Sequence, residues 1–516
     1  MPPSRWLNLS VCSILKNEAA NLQGLIGCLP LAHIEWIALD TGSNDDTVEI
    51  IRKAGVEPHA FTWIEDFAAA RNASLALAKR DWILWLDGDD RLDEEFWKSL
   101  APLLEGPKQA YRFIIRSPRG KSHGERFRQI RLFPNHAGIV FEGRIHEQVG
   151  TSLQRLGIPA APADLEILHI GYDTEDKRKA KVARNLLLLE RERTEHPDDP
   201  TVIMEYGNAL YQSGEYSAAK AAFLALLPFS DPGACGTAPT DEVLCHFPAN
   251  LGEICEKMGA LDQAEAWFQL AIRWNPTDIQ PFYWLGKKSL ETNNLRGALE
   301  HFYAAVERPA TVGRVATDSH TIRRNALAMV VLCETQLFGA GKAPRARGCL
   351  LELIEGGLDP FPLDYRVPWE FFRAAKSNHD AEQYARAYLK KFPADTARWE
   401  DFLEFLLDAG RHREVAEFFS SEPQLLLATG VLAAFRAKSL EIDQAGTNKI
   451  YTVYLEGVRK FPEDPTLLVY FSDFVNHNKL YARCYADLKT LPQPSETVQD
   501  FLRQMEAQGF GTGGTP

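Results

Sequence analysis

The chain has 516 residues, a formal net charge of −13 and an ordinary mixed composition, 45% hydrophobic and 25% charged. That length allows about two to four domains. The acidic balance excludes a phosphate-backbone binder as the main activity, because such proteins need basic stripes, so no nucleic-acid partner is expected. The start, Met1-Pro2-Pro3-Ser4-Arg5-Trp6, lacks the basic-then-apolar pattern of a signal peptide. No apolar run reaches the roughly 18–20 residues of a membrane span, and a cytoplasmic protein is expected. The eight cysteines include no C-x-x-C pair, and the ten-residue steps between Cys235, Cys245 and Cys255 are wrong for a zinc knuckle. Reduced, mostly buried thiols are expected.

Leu7 to Leu15 reads as a first strand ending in Lys16-Asn17-Glu18, and a helix follows to about Leu29 with Leu22, Leu25, Ile26 and Leu29 on one face. Ile34 to Leu39 is a second strand, ending in Asp40-Thr41-Gly42-Ser43-Asn44-Asp45-Asp46. Thr47 opens a second helix with Asp46 as N-cap, Glu49 three residues on and Gly55 at its stop. Val56 to Trp63 reads as a third strand, and Phe67 to Lys79 as an Ala-rich helix containing Arg71-Asn72. The run Trp82-Ile83-Leu84-Trp85-Leu86 then predicts a strand buried on both faces, stopping at Asp87-Gly88-Asp89-Asp90. A solvated turn and an acidic helix start would use the same residues. Four β-α units in about 90 residues predict an open parallel sheet, whose strand-end polar groups share one edge. Neither a dinucleotide fingerprint nor a P-loop is present.

S-V-C-S-I-L-K-N-E, D-T-G-S-N-D-D-T, A-A-A-R-N-A-S and L-D-G-D-D-R-L, in this order, resemble family-2 glycosyltransferases of the GT-A fold. The resemblance continues through Arg131-Leu132-Phe133, Phe141-Glu142-Gly143-Arg144-Ile145-His146-Glu147, His169-Ile170-Gly171-Tyr172 and the basic helical segment Lys177 to Arg193. This later set is similar to a bacterial branch of lipopolysaccharide-core and sublancin-type peptide S-glycosyltransferases. It covers roughly the first 190 residues and implies an α/β, Rossmann-like domain with a mainly parallel sheet, using Mn²⁺ or Mg²⁺ and a nucleotide sugar.

The resemblance places Asp87-Gly88-Asp89 at the D-x-D position, with Asp89 as the metal ligand and Asp87 near the ribose or metal. Asp90 serves as helix cap, the preferred reading, or supports its neighbours. Asp40 matches the acid that accepts from the nucleobase, and Glu18 the acid near base and ribose. Ser43 joins the same strand-end group. Arg71 faces that edge, and its fork suits a base or a diphosphate; Lys16 is either a donor-binding residue or a solvated strand-end lysine. An inverting transfer needs a base to take the acceptor's proton. Glu142, His146, Glu147 and Asp173 are the candidates, with Glu147 first and Glu142 the alternative. His169, after the apolar run Leu165 to Leu168, is the expected third metal ligand, and His146 its rival.

From about Pro197 the strand–helix alternation stops. Gly207, Gly252 and Gly286 mark one repeated position, the last two 34 apart, which is the tetratricopeptide period. Ala219, Ala264 and Ala298 then share a second position, Phe223, Phe268 and Phe302 a third, and Ala271 and Ala305 a fourth. Each Phe is expected to fill the groove of the next unit. Ser230 to Asp241 reads as a loop between repeats. Lys391-Phe392-Pro393-Ala394-Asp395 recurs as Lys460-Phe461-Pro462-Glu463-Asp464. The expected organisation is a GT-A domain over 1–190, tetratricopeptide repeats over 197–310, degenerate helical repeats over 311–491, and a flexible tail over 504–516 that includes Phe510 to Pro516.

These features predict a metal-dependent inverting glycosyltransferase, hexosyl- or N-acetylhexosaminyl-, using a UDP-sugar, with repeats that recruit a peptide or protein acceptor. The alternatives are a saccharide or lipopolysaccharide acceptor with repeats serving partner binding or homo-oligomerisation, and a scaffold without turnover. Intact Asp40, Asp87 and Asp89 disfavour the last. A nucleotidyltransferase would carry a Gly-rich loop after the first strand, and this chain has none.

Overall fold

The computed structural model describes residues 8–117, 124–136, 138–171, 175–229, 244–310, 318–357, 362–422, 425, 428–492 and 494–510, with the side chains of 175–178 not included. The chain divides into two compact units, Met1–Pro362 and Leu363–Pro516.

The first unit opens with β1 (Leu9–Leu15), α1 (Ala19–Cys28), β2 (Glu35–Asp40), α2 (Thr47–Lys53), β3 (His59–Ala60), α3 (Phe67–Leu77) and β4 (Trp82–Trp85). It continues through β5 (Asp90–Arg91), α4 (Glu94–Glu105), β6 (Ala110–Ser117), β7 (Glu125–Pro134), α5 (Gly150–Arg155) and β8 (Ala160–His169). The eight strands form one sheet in the order β3-β2-β1-β4-β7-β6-β8-β5. β3, β2, β1 and β4 run parallel, β7 is antiparallel to both its neighbours, and β6 pairs parallel with β8.

Period-two packing explains why β4 is apolar throughout. Trp82, Leu84 and Leu86 enter one core with Leu22, Leu25, Phe96 and Leu100, while Ile83 and Trp85 enter a second with Ala68, Phe141 and Leu153. Burying each such large side chain contributes about 2–3 kcal/mol. Because β1 lies between β2 and β4, Leu15 pairs with Asp40, and Leu86 N donates to Cys12 O at 3.0 Å. The carboxyl ends of these strands therefore line one edge where the strand order reverses, the place where open α/β sheets bind ligands.

Three local expectations are corrected or refined. The third strand is only His59–Ala60, both exposed, paired with Leu39 and Asp40 at the sheet's edge, while Val56 packs against the core before the strand begins. Asp46 holds the N-cap position of α2 as expected but makes no side-chain cap bond; Asp45 makes the bonds there, accepting from Thr47 N at 3.0 Å and from Thr47 Oγ1 at 2.6 Å. Asp90 is not a helix cap: α4 is capped by Asp93, whose side chain accepts from Phe96 N at 2.7 Å, and Asp90 lies in β5.

The helices α6 (Glu175–Glu195), α7 (Pro200–Ser213), α8 (Tyr216–Leu224), α9 (Phe247–Lys257), α10 (Leu261–Trp274), α11 (Gln280–Glu291), α12 (Leu295–Val306), α13 (Ser319–Phe338) and α14 (Ala346–Glu355) follow in the same unit. The α7/α8, α9/α10 and α11/α12 hairpins carry the repeat positions. A Cβ on Gly252 would stand 2.5 Å from Phe268 Cε1, and one on Gly286 2.5 Å from Phe302 Cε1. Each Phe thus seats on the glycine of its own repeat, and it also meets the next unit as expected: Phe268 stacks on Trp284 of α11 at 6.3 Å between ring centroids and packs with Leu285. The Ser230–Asp241 loop lies outside the described residues.

The second unit runs from α15 (Arg366–Ala374), α16 (Asn378–Lys391) and α17 (Thr396–Asp408) through α18 (His412–Ser421), α19 (Gly430–Ile442) and α20 (Thr447–Lys460) to α21 (Pro465–Asn478), α22 (Tyr481–Lys489) and α23 (Glu496–Ala507). The recurring K-F-P-x-D segment ends each time in an N-cap: Asp395 accepts from Arg398 N at 3.3 Å, and Asp464 from Leu467 N at 2.9 Å. α23 continues through the first residues of the expected tail with Met505 buried, and residues 511–516 lie outside the described region. Among the described residues no helix is long and apolar enough to cross a membrane.

Candidate functional site

Asp87, Asp89, Asp90 and His169 converge at the edge beyond β4, with one ligand atom from each lying within 4.8 Å of the others. The pairing that brings His169 back is short: β5 and β8 run antiparallel, with Asp90 opposite His169. Ile170 N donates to Asp89 O at 3.0 Å and closes the same contact. His169 Nδ1 lies 2.9 Å from Asp90 Oδ1 and 3.3 Å from Asp89 Oδ1. His146 lies outside this cluster. Its backbone is left-handed, and its Nε2 is 3.6 Å from Glu205 Oε2 on α7.

Two arginines frame the acids. Arg71, buried on α3, donates from Nη2 to Asp87 Oδ1 at 2.8 Å and from Nε to Glu147 Oε1. Arg131, on β7, donates from Nη1 to Asp90 Oδ2 at 2.9 Å, and its Nη2 is 3.6 Å from Asp87 Oδ2. Both guanidinium carbons rest on the Trp85 indole, 4.0 Å and 3.7 Å from its centroid. In the sequence Arg131 stands out only as part of a motif. Nothing local signals its role, because β7 reaches the site through strand pairing.

Burial disfavours the Asp87 carboxylate, but Arg71 and Arg131 outweigh it and hold the group well below the usual range. Asp89 lacks such partners. Burial pushes it up to about 6, with His169 opposing and Asp87, Asp90 and Glu18 adding to the rise. Burial likewise disfavours charge on His169, yet the surrounding carboxylates raise its pKa. The cluster offers carboxylate oxygens and one imidazole, a hard, mostly oxygen set of donors that fits Mg²⁺ or Mn²⁺.

The other predicted residues lie along the same edge. Glu18 Oε2 accepts from Asn21 Nδ2 at 3.0 Å, and Glu18 Cγ would be 2.8 Å from a Cβ at position 88, so a side chain in the middle of Asp87-Gly88-Asp89 would displace Glu18. Asp40 is 9% exposed and accepts from Gly42 N at 3.1 Å and Ser43 N at 3.2 Å. Ser43 Oγ accepts from Asn17 N at 2.9 Å. Lys16 is exposed, its Nζ 5.8 Å from the centre of the Trp63 ring.

The loop carrying Glu142 and Glu147 is pinned at several points. Asn72 bonds both backbone groups of Phe141, at 2.7 and 2.9 Å, Arg144 N donates to Glu192 Oε2 at 2.8 Å, and Ile145 packs with Leu188, Leu189 and Ala209. Glu142 pairs with Arg155 on α5, whereas Glu147 reaches Asp87 through Arg71. Asp173 lies outside the described residues.

Residues 10–156 match the model for glycosyl transferase family 2, and residues 249–278 match that for a tetratricopeptide repeat. A TPR repeat-containing protein of Synechococcus elongatus is 33% identical over 220 residues, covering 41% of this chain and 54% of the relative. The SPbeta prophage-derived glycosyltransferase SunS of Bacillus subtilis is 27% identical over 206 residues, covering 38% and 48%. An uncharacterized glycosyltransferase of Rickettsia felis is 32% identical over 87 residues, covering 17% and 30%. The chain spans about half the length of the first two relatives.

Proposed function

We propose that this protein is an inverting glycosyltransferase that moves a sugar from a nucleotide sugar, a UDP-sugar in the first instance, to a peptide or protein acceptor recruited by its repeats. The observation that carries the reading is the convergence of Asp87, Asp89 and His169 at the carboxyl edge of a sheet whose residues match the family-2 model. Asp89 and His169 hold Mn²⁺ or Mg²⁺, with Asp87 beside it. A bound divalent ion there offsets the charge that grows on the diphosphate leaving group.

Asp40, Glu18, Ser43 and Lys16 receive the nucleoside end of the donor, and Arg71 orients Asp87. Glu147 is the first choice for the base that takes the acceptor's proton. Its Oε1 is held by Arg71, and its Oε2 carries no hydrogen bond among the described residues, which leaves that oxygen able to accept. Glu142, tied to Arg155 and more open to solvent, is second.

The peptide acceptor is supported by the contact between the loop and the repeat array. Ile145, two residues before the proposed base, packs against α6 and α7, so an extended acceptor lying along the repeats would end near Glu147. The test is incubation of the purified chain with a panel of UDP-, GDP- and TDP-sugars and Mn²⁺, followed by mass analysis of peptides and glycans from a cell extract. Hexose or N-acetylhexosamine additions on peptides support the reading. Additions confined to glycans replace the acceptor, and no transfer or hydrolysis with any donor overturns the activity.

A further inference from the structure

We propose that Asp90 and Arg131 form a buried positioning pair that orients His169 and Asp87, and that Asp90 is not itself a metal ligand. The inference rests on the reading of this edge as a divalent-cation site. Asp90 is fully buried and both of its oxygens are committed. Oδ2 accepts from Arg131 Nη1 at 2.9 Å and from the Asp87 backbone N at 2.8 Å, and Oδ1 faces His169 Nδ1 at 2.9 Å. A carboxylate has about four lone-pair sites, so these three contacts leave little for an ion.

A buried carboxylate persists only when paired, and removing its partner is strongly unfavourable. Arg131 is that partner and is itself fixed. Its side chain is 3% exposed, it stacks 3.7 Å from the Trp85 centroid, and Nη1 is also 3.3 Å from Trp85 O. With an acceptor carboxylate 2.9 Å from it, Nδ1 of His169 is the nitrogen on which Asp90 favours the proton, and in that tautomer Nε2 is the ring's lone-pair donor. A carboxylate behind a ligating imidazole fixes its tautomer and orientation and raises its basicity, and losing such a partner typically costs about 10–100-fold in metal affinity. Asp90 also holds the turn itself, since Asp87 N donates to its side chain while its own N donates to Asp87 O at 3.1 Å.

The experiment is a Mn²⁺ titration of the full chain followed by electron paramagnetic resonance, with donor kinetics alongside. The wild type, Asp90→Asn, Arg131→Met, Arg131→Lys and Asp89→Ala are compared, with Leu100→Ala as a variant that loosens the core packed on β4 but removes no side chain of the acidic cluster. Asp90→Asn and Arg131→Met are expected to weaken Mn²⁺ binding by about 10–100-fold. Raising Mn²⁺ should recover their turnover, while Arg131→Lys falls between them and the wild type and Leu100→Ala binds as the wild type does. Should Asp90→Asn fail to fold, Arg131→Lys carries the test, and an unchanged Mn²⁺ affinity there overturns the proposal. Unchanged affinity in Asp90→Asn overturns it, and so does a loss as complete as in Asp89→Ala, which would make Asp90 a ligand. A wild type that binds no Mn²⁺ overturns the cation reading, a result distinct from either.

Discussion

His169 Nδ1 meets Asp90 Oδ1 at 2.9 Å although 79 residues separate the two. The contact exists because two short strand segments, Asp90-Arg91 and Leu168-His169, pair antiparallel at the sheet's last position. It brings an imidazole to the acidic end of β4 and leaves Asp89 as the carboxyl with the weakest compensation.

That weakness has a sign. Asp89 is pushed up to about 6 from its ordinary 3.8, so the fold favours its protonated form. Its contribution to stability is full below the unfolded value and is lost as pH rises through about 6. A cation binds the ionised form and must displace the proton below that pH, so affinity should fall by up to about tenfold per pH unit there. Thermal melts with and without Mn²⁺ should show a larger stabilisation at about pH 7.5 than at about pH 5. An equal shift at both would count against Asp89 as a ligand.

Glu18 lies over Gly88. Gly88→Ala would set a Cβ 2.8 Å from Glu18 Cγ, and a side chain at the sheet edge can swing away without disturbing the core. The expected outcome is a melting point within a few degrees of wild type and a loss of about 1–2 kcal/mol in donor binding, roughly tenfold. Nucleotide-sugar titration by calorimetry measures it.

In the repeats, Gly252→Ala should be destabilising even though Ala is the better helix former. The gain of about 1 kcal/mol in propensity is set against overpacking of a buried site, typically about 1–3 kcal/mol. The added Cβ would sit 2.5 Å from Phe268 Cε1. Chemical denaturation monitored by circular dichroism should show a lower midpoint.

The second unit carries a cross-helix ion network in which Glu382 accepts from Arg411 and Arg386, and Glu414 does the same. The hydrogen bond from Arg411, opposed by partial burial and helped by Arg386, holds Glu382 down to about 2 from 4.5. A depressed carboxyl contributes stability that is present above the unfolded value and lost as pH falls through the folded one. Between about pH 5 and pH 2 the wild type should therefore lose more stability than Arg411→Ala. Parallel melting curves for the two proteins would exclude the network as a source of acid sensitivity.

Much of this was legible in the sequence because it is local. Apolar runs ending in Asp40 and Asp87 predict parallel strands with acids at one edge, and Gly, Ala and Phe at fixed spacing predict helix hairpins. What was not legible depends on distant pairing. Arg131 reaches Asp90 across 41 residues because β7 runs antiparallel to β4. The choice of Asp45 over Asp46 for the capping bonds follows from Asp45 also accepting from Ala19 N at 3.1 Å. The third strand pairs over only His59 and Ala60 at the sheet's edge, and no residue pattern within Val56 to Trp63 reveals where that pairing stops.

The central claim is tested most directly by measuring sugar-nucleotide turnover in the wild type and in Asp89→Ala, with Mn²⁺ and with chelator. The wild type should turn over at least one UDP-sugar with Mn²⁺ and stop on chelation. Asp89→Ala, losing several kcal/mol of charge stabilisation, should fall by about 100-fold or more. Equal turnover in Asp89→Ala, or wild-type turnover that chelator leaves untouched, would contradict the account.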